Sequence, residues 1–114
     1  MFTASLAKYA DPLLDLLDVH NVIHWRLFRE HCVYFGGSYV KDLEALGRDM
    51  GGTIIVDNSP HSYLFHPENA VPISSFIYDP EDQELMDLIP YLDALHKAQD
   101  IRPILAEFVT QCCD

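Results

Sequence analysis

An α/β fold built on a parallel sheet is the class this sequence predicts, and three observations predict it. Thr53-Ile54-Ile55-Val56 is an unbroken β-branched run, set between Gly51-Gly52 and Asp57-Asn58-Ser59-Pro60. Continuous rather than alternating hydrophobicity marks a strand covered on both faces. Apolar residues recur at helical spacing on either side of that run, as Leu13, Leu14, Leu16 and Leu17 and again from Leu85 to Leu95. The strand also delivers an acid and an amide into a turn, the end of an open α/β sheet at which ligands bind.

The elements follow in chain order. Tyr9 to Asp18 reads as a helix, with Pro12 placed where an early helical turn tolerates it. Arg26 to Phe28 and Cys32 to Phe35 read as extended. Gly36-Gly37 and then Ser38-Tyr39-Val40 complete a β-hairpin with a glycine turn. Asp79-Pro80-Glu81-Asp82 has the composition of a helix start: a capping acid, proline at the first position and acids in the first turn. Leu85, Met86, Leu88, Ile89, Leu92 and Leu95 then predict a face packed on the sheet, with Pro90 kinking or dividing the element. Asp100 to Phe108 reads as a last helix with Ile101, Ile104, Leu105 and Phe108 on one side.

Composition narrows the function. A chain of 114 residues, 49% apolar, has the size and hydrophobicity of one small folded unit, and residues 1–114 are read as a single domain. No repeat or low-complexity run divides it. Its apolar stretches are too short to span a bilayer, and the N-terminus has no basic or apolar leader region. The expectation is a soluble intracellular chain with no membrane segment. Eighteen acids against seven bases give a formal charge of −11, which repels a phosphate backbone and argues against nucleic acid. Cys32 stands alone and Cys112-Cys113 are adjacent, a pattern of unligated thiols in a reducing compartment. The six histidines show no ligand spacing.

Four features carry chemistry. Phe2-Thr3-Ala4-Ser5 offers small hydroxyls after an apolar residue. Arg29 is flanked by Leu27-Phe28 before it and Glu30 after it. Lys41 leaves a hairpin strand in Tyr39-Val40-Lys41-Asp42, and Asp57-Asn58 ends the buried strand. Singly, each has an ordinary structural explanation: a helix cap, a turn, a solvated cation. In this order they are the parts needed to hold a phosphoryl group. The hydroxyl donates to its oxygens, the lysine neutralises its charge, and the acid and amide seat a hard cation such as Mg2+.

Phe2-Thr3-Ala4-Ser5-Leu6-Ala7-Lys8-Tyr9-Ala10-Asp11-Pro12, Arg26 to Cys32, Tyr39-Val40-Lys41-Asp42-Leu43 and Ile54-Ile55-Val56-Asp57-Asn58-Ser59-Pro60 resemble the small phosphatases of the RNA polymerase II C-terminal domain and their dullard-type relatives. His66-Pro67-Glu68-Asn69-Ala70-Val71-Pro72-Ile73 and Leu88-Ile89-Pro90-Tyr91-Leu92 continue the likeness, which covers residues 2–108. The resemblance implies a Rossmann-like core of the haloacid dehalogenase superfamily and a phosphorylated protein as substrate. It implies that Thr3 and Lys41 bind the transferred phosphoryl, and that Tyr9 and Arg29 contact the substrate peptide. Asn58 would ligate Mg2+ directly, with Asp57 supporting the metal through water.

The same resemblance implies an attacking aspartate in a D-x-D-x-T motif at the end of the first, central strand. No Asp-x-Asp occurs in these 114 residues. The expectation is therefore an incomplete phosphatase domain, its partial core lacking the first strand and at most marginally stable and inactive alone. A missing N-terminal segment or a complementing chain would supply the rest. Two alternatives are a non-catalytic relative resembling the receptor subunit of the mitochondrial inner-membrane import translocase, and a regulator that binds phosphorylated partners. The compartment expected is nucleus or cytoplasm, with the mitochondrial inner membrane under the translocase alternative.

Overall fold

A computed structural model describes the backbone of residues 1–113 and the side chains of residues 1–107. Helix α1 (Ala7–Leu17) starts two residues before the predicted boundary, so Pro12 lies inside it and not in its first turn. The helix tolerates Pro12 because the carbonyl it leaves without a donor, that of Lys8, lies on the exposed face, where water can serve it. Buried Asp18 ends the helix. Its two carboxylate oxygens accept from the backbone N–H groups of Val22 (2.8 Å) and Ile23 (3.0 Å), and those bonds hold its carboxyl below the ordinary range.

That turn sends the chain back along the first residues. Phe2 and Leu27 form a parallel bridge, fixed by Thr3 N–H to Leu27 C=O and Leu27 N–H to Met1 C=O, both 2.9 Å. Arg26 closes the same region by pairing with Asp11 and Asp15 of α1, at 2.6 and 2.8 Å. The predicted hairpin follows as β1 (Val33–Phe35) and β2 (Ser38–Val40), antiparallel with Tyr34 opposite Tyr39. Gly36 (φ 59°) and Gly37 (φ 83°) supply the two positive φ angles such a two-residue turn demands.

Strand β3 (Ile55–Asp57) pairs in parallel with β4 (Ala70–Pro72), Ile55 opposite Ala70 and Val56 opposite Val71. The α/β class with a small parallel sheet is thus present, and the described residues hold two two-stranded sheets, the parallel β3–β4 pair and the antiparallel β1–β2 hairpin. The link between β3 and β4 is held by buried Asn69, whose amide Nδ2 donates to the carbonyls of Met50 (2.7 Å) and Thr53 (2.9 Å). On one side of this pair Leu43, Ile55 and Ala70 cluster. On the other, Val71 packs with Leu88, Leu95, Ile101 and Leu105, contributed by α3 (Ile89–Leu95), α4 (Arg102–Cys113) and their flanks.

Several expectations are corrected here. Asp79-Pro80-Glu81-Asp82 is a turn, with Asp79 accepting from Glu81 N–H, and the first helical residues are α2 (Glu84–Asp87). The left-handed Tyr78 (φ 57°) and two successive Asx-type bonds, from Asp79 and then Asp82, keep the backbone out of the helix until Glu84. Pro90 divides the element as expected, standing in the first turn of α3. Of the six apolar residues expected on the sheet, Leu88 and Leu95 are buried, while Leu85, Met86 and Ile89 are exposed. Splitting the helix at Leu88 breaks the register that a continuous stripe requires. Of the last predicted helix, Ile101, just before α4, and Leu105 within it are buried, but Ile104 faces outward. The side chain of Phe108 lies outside the described residues.

A candidate phosphoryl-binding cleft

Each chemistry-bearing residue is fixed by local structure. The Thr3-Ala4-Ser5 segment turns sharply because Thr3 Oγ1 accepts from Ser5 N–H at 3.1 Å, which leaves the Thr3 hydroxyl hydrogen free to donate elsewhere. Arg29 opens a short 3-10 turn (Arg29–His31) in which Phe28 N–H donates to His31 Nδ1 at 2.9 Å. Two bonds join Arg29 to the hydroxyl segment: its backbone N–H to Ser5 C=O (3.1 Å) and its guanidinium Nε to Ala4 C=O (2.7 Å). Its guanidinium also stacks over the Tyr39 ring, 5.0 Å from the centroid. One side of the site is thereby tied together across 25 residues of sequence.

The other side is built from β2, β3 and the turn after β3. Lys41 follows β2, and its backbone N–H donates to Ser62 C=O at 2.8 Å, tying the hairpin to the 3-10 turn Pro60–Tyr63. Asp57 ends β3. Its Oδ1 accepts from Ser59 N–H at 2.9 Å, the Asx-type turn that Asp-Asn-Ser-Pro encodes. Its Oδ2 pairs with the Lys41 ammonium, both side chains being buried. A buried charge of either sign alone is strongly unfavourable, so each of these two residues requires the other. Asn58 is exposed beside them, and its Nδ2 donates to Ser75 Oγ at 2.8 Å. That bond commits the nitrogen and turns the amide oxygen into the available donor atom.

These residues meet. Thr3, Arg29, Lys41, Asp57 and Asn58 line one cleft of about 470 Å3, together with Ser5, Ser38, Tyr39, Ser59, His61 and Ser62 among others. Tyr9 is the exception among the sequence-predicted residues. It stands on α1, 68% exposed with the Lys8 ammonium over its ring, and is not among the residues lining the cleft. Sequence reasoning missed Ser38, Tyr39, His61, Ser62 and Ser75. The first four are neighbours of motif residues and could have been found by asking which side chains share their strand end or turn. Ser75 had no signal, since its approach to Asn58 depends on the path of the chain after β4.

The cleft chemistry is clear in outline. Arg29 and Lys41 set two cations against one buried carboxylate inside a chain of net charge −11. An ammonium has three N–H donors, so Lys41 keeps capacity beyond its bond to Asp57. Cys32 lies behind the hydroxyl segment, its Sγ 3.9 Å from Thr3 C=O, with its thiol pushed up by burial. It is a packing residue rather than a nucleophile. A separate group, Asp42, Glu44 and His66, has ligand-type atoms within 4.8 Å of one another. Asp42 Oδ1 already contacts His66 Nε2 (3.0 Å) and accepts from Glu44 N–H (3.1 Å), which makes this group a brace between two turns.

The end of β3 offers oxygen atoms suited to a hard cation such as Mg2+. An amide oxygen with its nitrogen committed and an adjoining carboxylate are hard oxygen donors of the right type. Both oxygens of Asp57 are already engaged, one by Lys41 and one by Ser59 N–H, while Asn58 is exposed beside it. These residues fit one side of a Mg2+ site.

Comparison with known proteins places the chain. The profile of the family described as NLI interacting factor-like phosphatase matches residues 1–102. A probable C-terminal domain small phosphatase of Dictyostelium discoideum is 64% identical over 107 residues, covering 94% of this chain and 35% of the relative. The human CTD small phosphatase-like protein is 58% identical over 105 residues, covering 92% of this chain and 38% of its own length. The human carboxy-terminal domain RNA polymerase II polypeptide A small phosphatase 2 is 57% identical over 107 residues, covering 94% of this chain and 40% of the relative. The chain thus spans between about a third and two-fifths of these relatives. Among the described residues no helix is long and apolar enough to cross a membrane. The chain belongs to the NLI interacting factor-like phosphatase family.

Proposed function

We infer that these residues are the C-terminal part of a Mg2+-dependent phosphoserine/phosphothreonine protein phosphatase domain with a haloacid dehalogenase core. The observation that carries the reading is the convergence of Thr3, Arg29, Lys41, Asp57 and Asn58, dispersed over half the chain, on one cleft. The Thr3 hydroxyl donates to a phosphoryl oxygen. The Lys41 ammonium, held in place by Asp57, faces the same group and offsets its charge, and Arg29 gathers the phosphorylated residue at the mouth. Asn58 Oδ1, oriented by Ser75, and Asp57 would hold Mg2+, which when bound supplies charge stabilisation to the transferring phosphoryl. The relatives named as C-terminal domain small phosphatases support a phosphorylated protein as the substrate class.

The attacking carboxylate is not among these residues, because no Asp-x-Asp occurs in them. In this reading it enters on a strand lying between the Phe2 segment and β3. Support comes from the parallel bridge at Phe2 and the parallel β3–β4 pair, which are separate yet deliver Thr3 and Asp57 to the same cleft. Met1, Phe2, Trp25, Leu27 and Leu46, with Arg48 at one side, also line an open, mainly apolar cleft that an apolar strand could cover. The test is hydrolysis of p-nitrophenyl phosphate or a phosphoserine peptide with Mg2+. The 114-residue polypeptide should show no turnover, and fusion ahead of Met1 of an apolar strand ending in D-x-D-x-T, joined through a crossover of at least about a dozen residues, should restore it. Turnover by the unfused polypeptide that is lost in Lys41→Ala would contradict this division of labour.

A further inference from the structure

Tyr39 belongs to two structures at once. It lines the phosphoryl cleft, and it is the middle member of a row in which the Arg29 guanidinium lies 5.0 Å from its centroid and the Tyr34 ring 5.2 Å away, tilted by 57°. Tyr34 and Tyr39 are directly opposed in the β1–β2 hairpin, so both rings project from the same face. The row therefore runs from a cleft cation across the two strands of the hairpin. Tyr34, its outer member, is 68% exposed. Hydrogen bonding does not explain the arrangement: the contacts within the row are a cation over a ring and a ring against a ring. Two spacings near 5 Å span the reach of two to three residues of an extended chain, at roughly 3.3 Å per residue.

We propose that the Tyr34–Tyr39 pair is a shelf for an aromatic side chain of the substrate peptide, within two or three residues of the phosphorylated serine or threonine. The shelf rests on the phosphoryl reading of the adjoining cleft and adds a sequence preference to it. Tyr39 makes the shelf continuous with that cleft, and Arg29, stacked on Tyr39, fixes the register between phosphoryl group and ring. A peptide is the occupant because Tyr39 belongs both to the cleft and to the tyrosine pair, so one extended chain carrying a charged group and a flat apolar group engages the two together. Offset or edge-on contact with a tyrosine ring adds selectivity for aromatic over small side chains.

The test is fluorescence polarisation with labelled peptides carrying one phosphoserine and either phenylalanine or alanine at each flanking position in turn, with inorganic phosphate as competitor. The best phenylalanine peptide should bind roughly five-fold tighter than its alanine counterpart. That preference should vanish in Tyr34→Ala and persist in Tyr34→Phe, while competition by inorganic phosphate is unchanged in both. Tyr34 is exposed, so neither change threatens the fold. Equal binding of the phenylalanine and alanine peptides, or a preference that survives Tyr34→Ala, overturns the shelf and leaves the cleft reading intact. A Tyr34-dependent preference shown equally by unphosphorylated peptides supports the shelf and counts against the phosphoryl reading. Absence of binding by every peptide overturns both.

Discussion

Helices α1 and α4 both carry apolar side chains, four leucines in α1 and Ile104 and Leu105 in α4, but their surroundings differ. Helix α4 packs on β4, and Leu105 near its start is 1% exposed in a cluster with Val71, Leu88, Leu95 and Ile101. Helix α1 buries Ala10 and Leu14, while Leu13, Leu16 and Leu17 lie open, as do Val19, Val22 and Trp25 beyond its end. The helix starts differ too. Ahead of α4, Asp100 Oδ1 accepts from the N–H of the first helical residue, Arg102, at 3.0 Å, whereas Leu6 ahead of α1 makes no side-chain cap. The candidate cleft straddles these unequal halves. Lys41, Asp57 and Asn58 stand on or beside strands braced by the closed core, while Thr3 and Arg29 stand on the open side and are held by hydrogen bonds to each other's segments. The contrast teaches that amphipathic periodicity marks a face to be covered without saying what covers it.

The contrast can be broken first by mutation in the closed half. Leu105→Ala should cost about 2–5 kcal/mol in urea unfolding, because the cavity it leaves is walled by four other buried side chains. The paired change Leu16→Ala, at a site 76% exposed, should stay within about 0.5 kcal/mol. Similar losses at both sites would show that α1 is covered in solution by contacts absent from this structure.

A smaller effect is expected at the start of α4. The Arg102 guanidinium, assisted by the Arg102 backbone N–H, holds the Asp100 carboxyl down at about 2, from an ordinary 3.8. A carboxyl lowered on folding adds stability that is complete above its unfolded value and is lost as pH falls through the folded one. The urea midpoint should thus decline from about pH 4 toward pH 2, and less steeply in Asp100→Asn than in the parent. Equal slopes would mean that the pair is equally formed in the unfolded chain. At this exposed site the effect is screened and modest.

Much of this was legible in the sequence, for reasons that differ by element. The hairpin was visible because Gly36-Gly37 supplies a local requirement, two positive φ angles, that few other dipeptides meet. Strand β3 was visible because four β-branched or apolar residues in a row have few alternatives. Strand β4 was not: Ala70-Val71 is too short a run to announce itself, and it is a strand because β3 lies beside it. The helix start at Asp79 was misplaced because the same acids that cap a helix also close Asx turns, and only the backbone at Tyr78 decides between them. Thr3, Lys41, Asp57 and Asn58 could be named from motif order. Tyr34 and Ser75 could not, because their parts depend on which rings and hydroxyls the fold brings together.

The central claim is that the cleft between the open and closed halves binds a phosphoryl group, and titration of the isotopically labelled polypeptide with inorganic phosphate tests it most directly. Amide and side-chain NMR shifts should move at Thr3, Ser5, Arg29, Lys41 and Asn58 together, and the response should be lost in Lys41→Met. Shifts confined to one half of the cleft, or to residues outside it, or undiminished in Lys41→Met, would contradict the account.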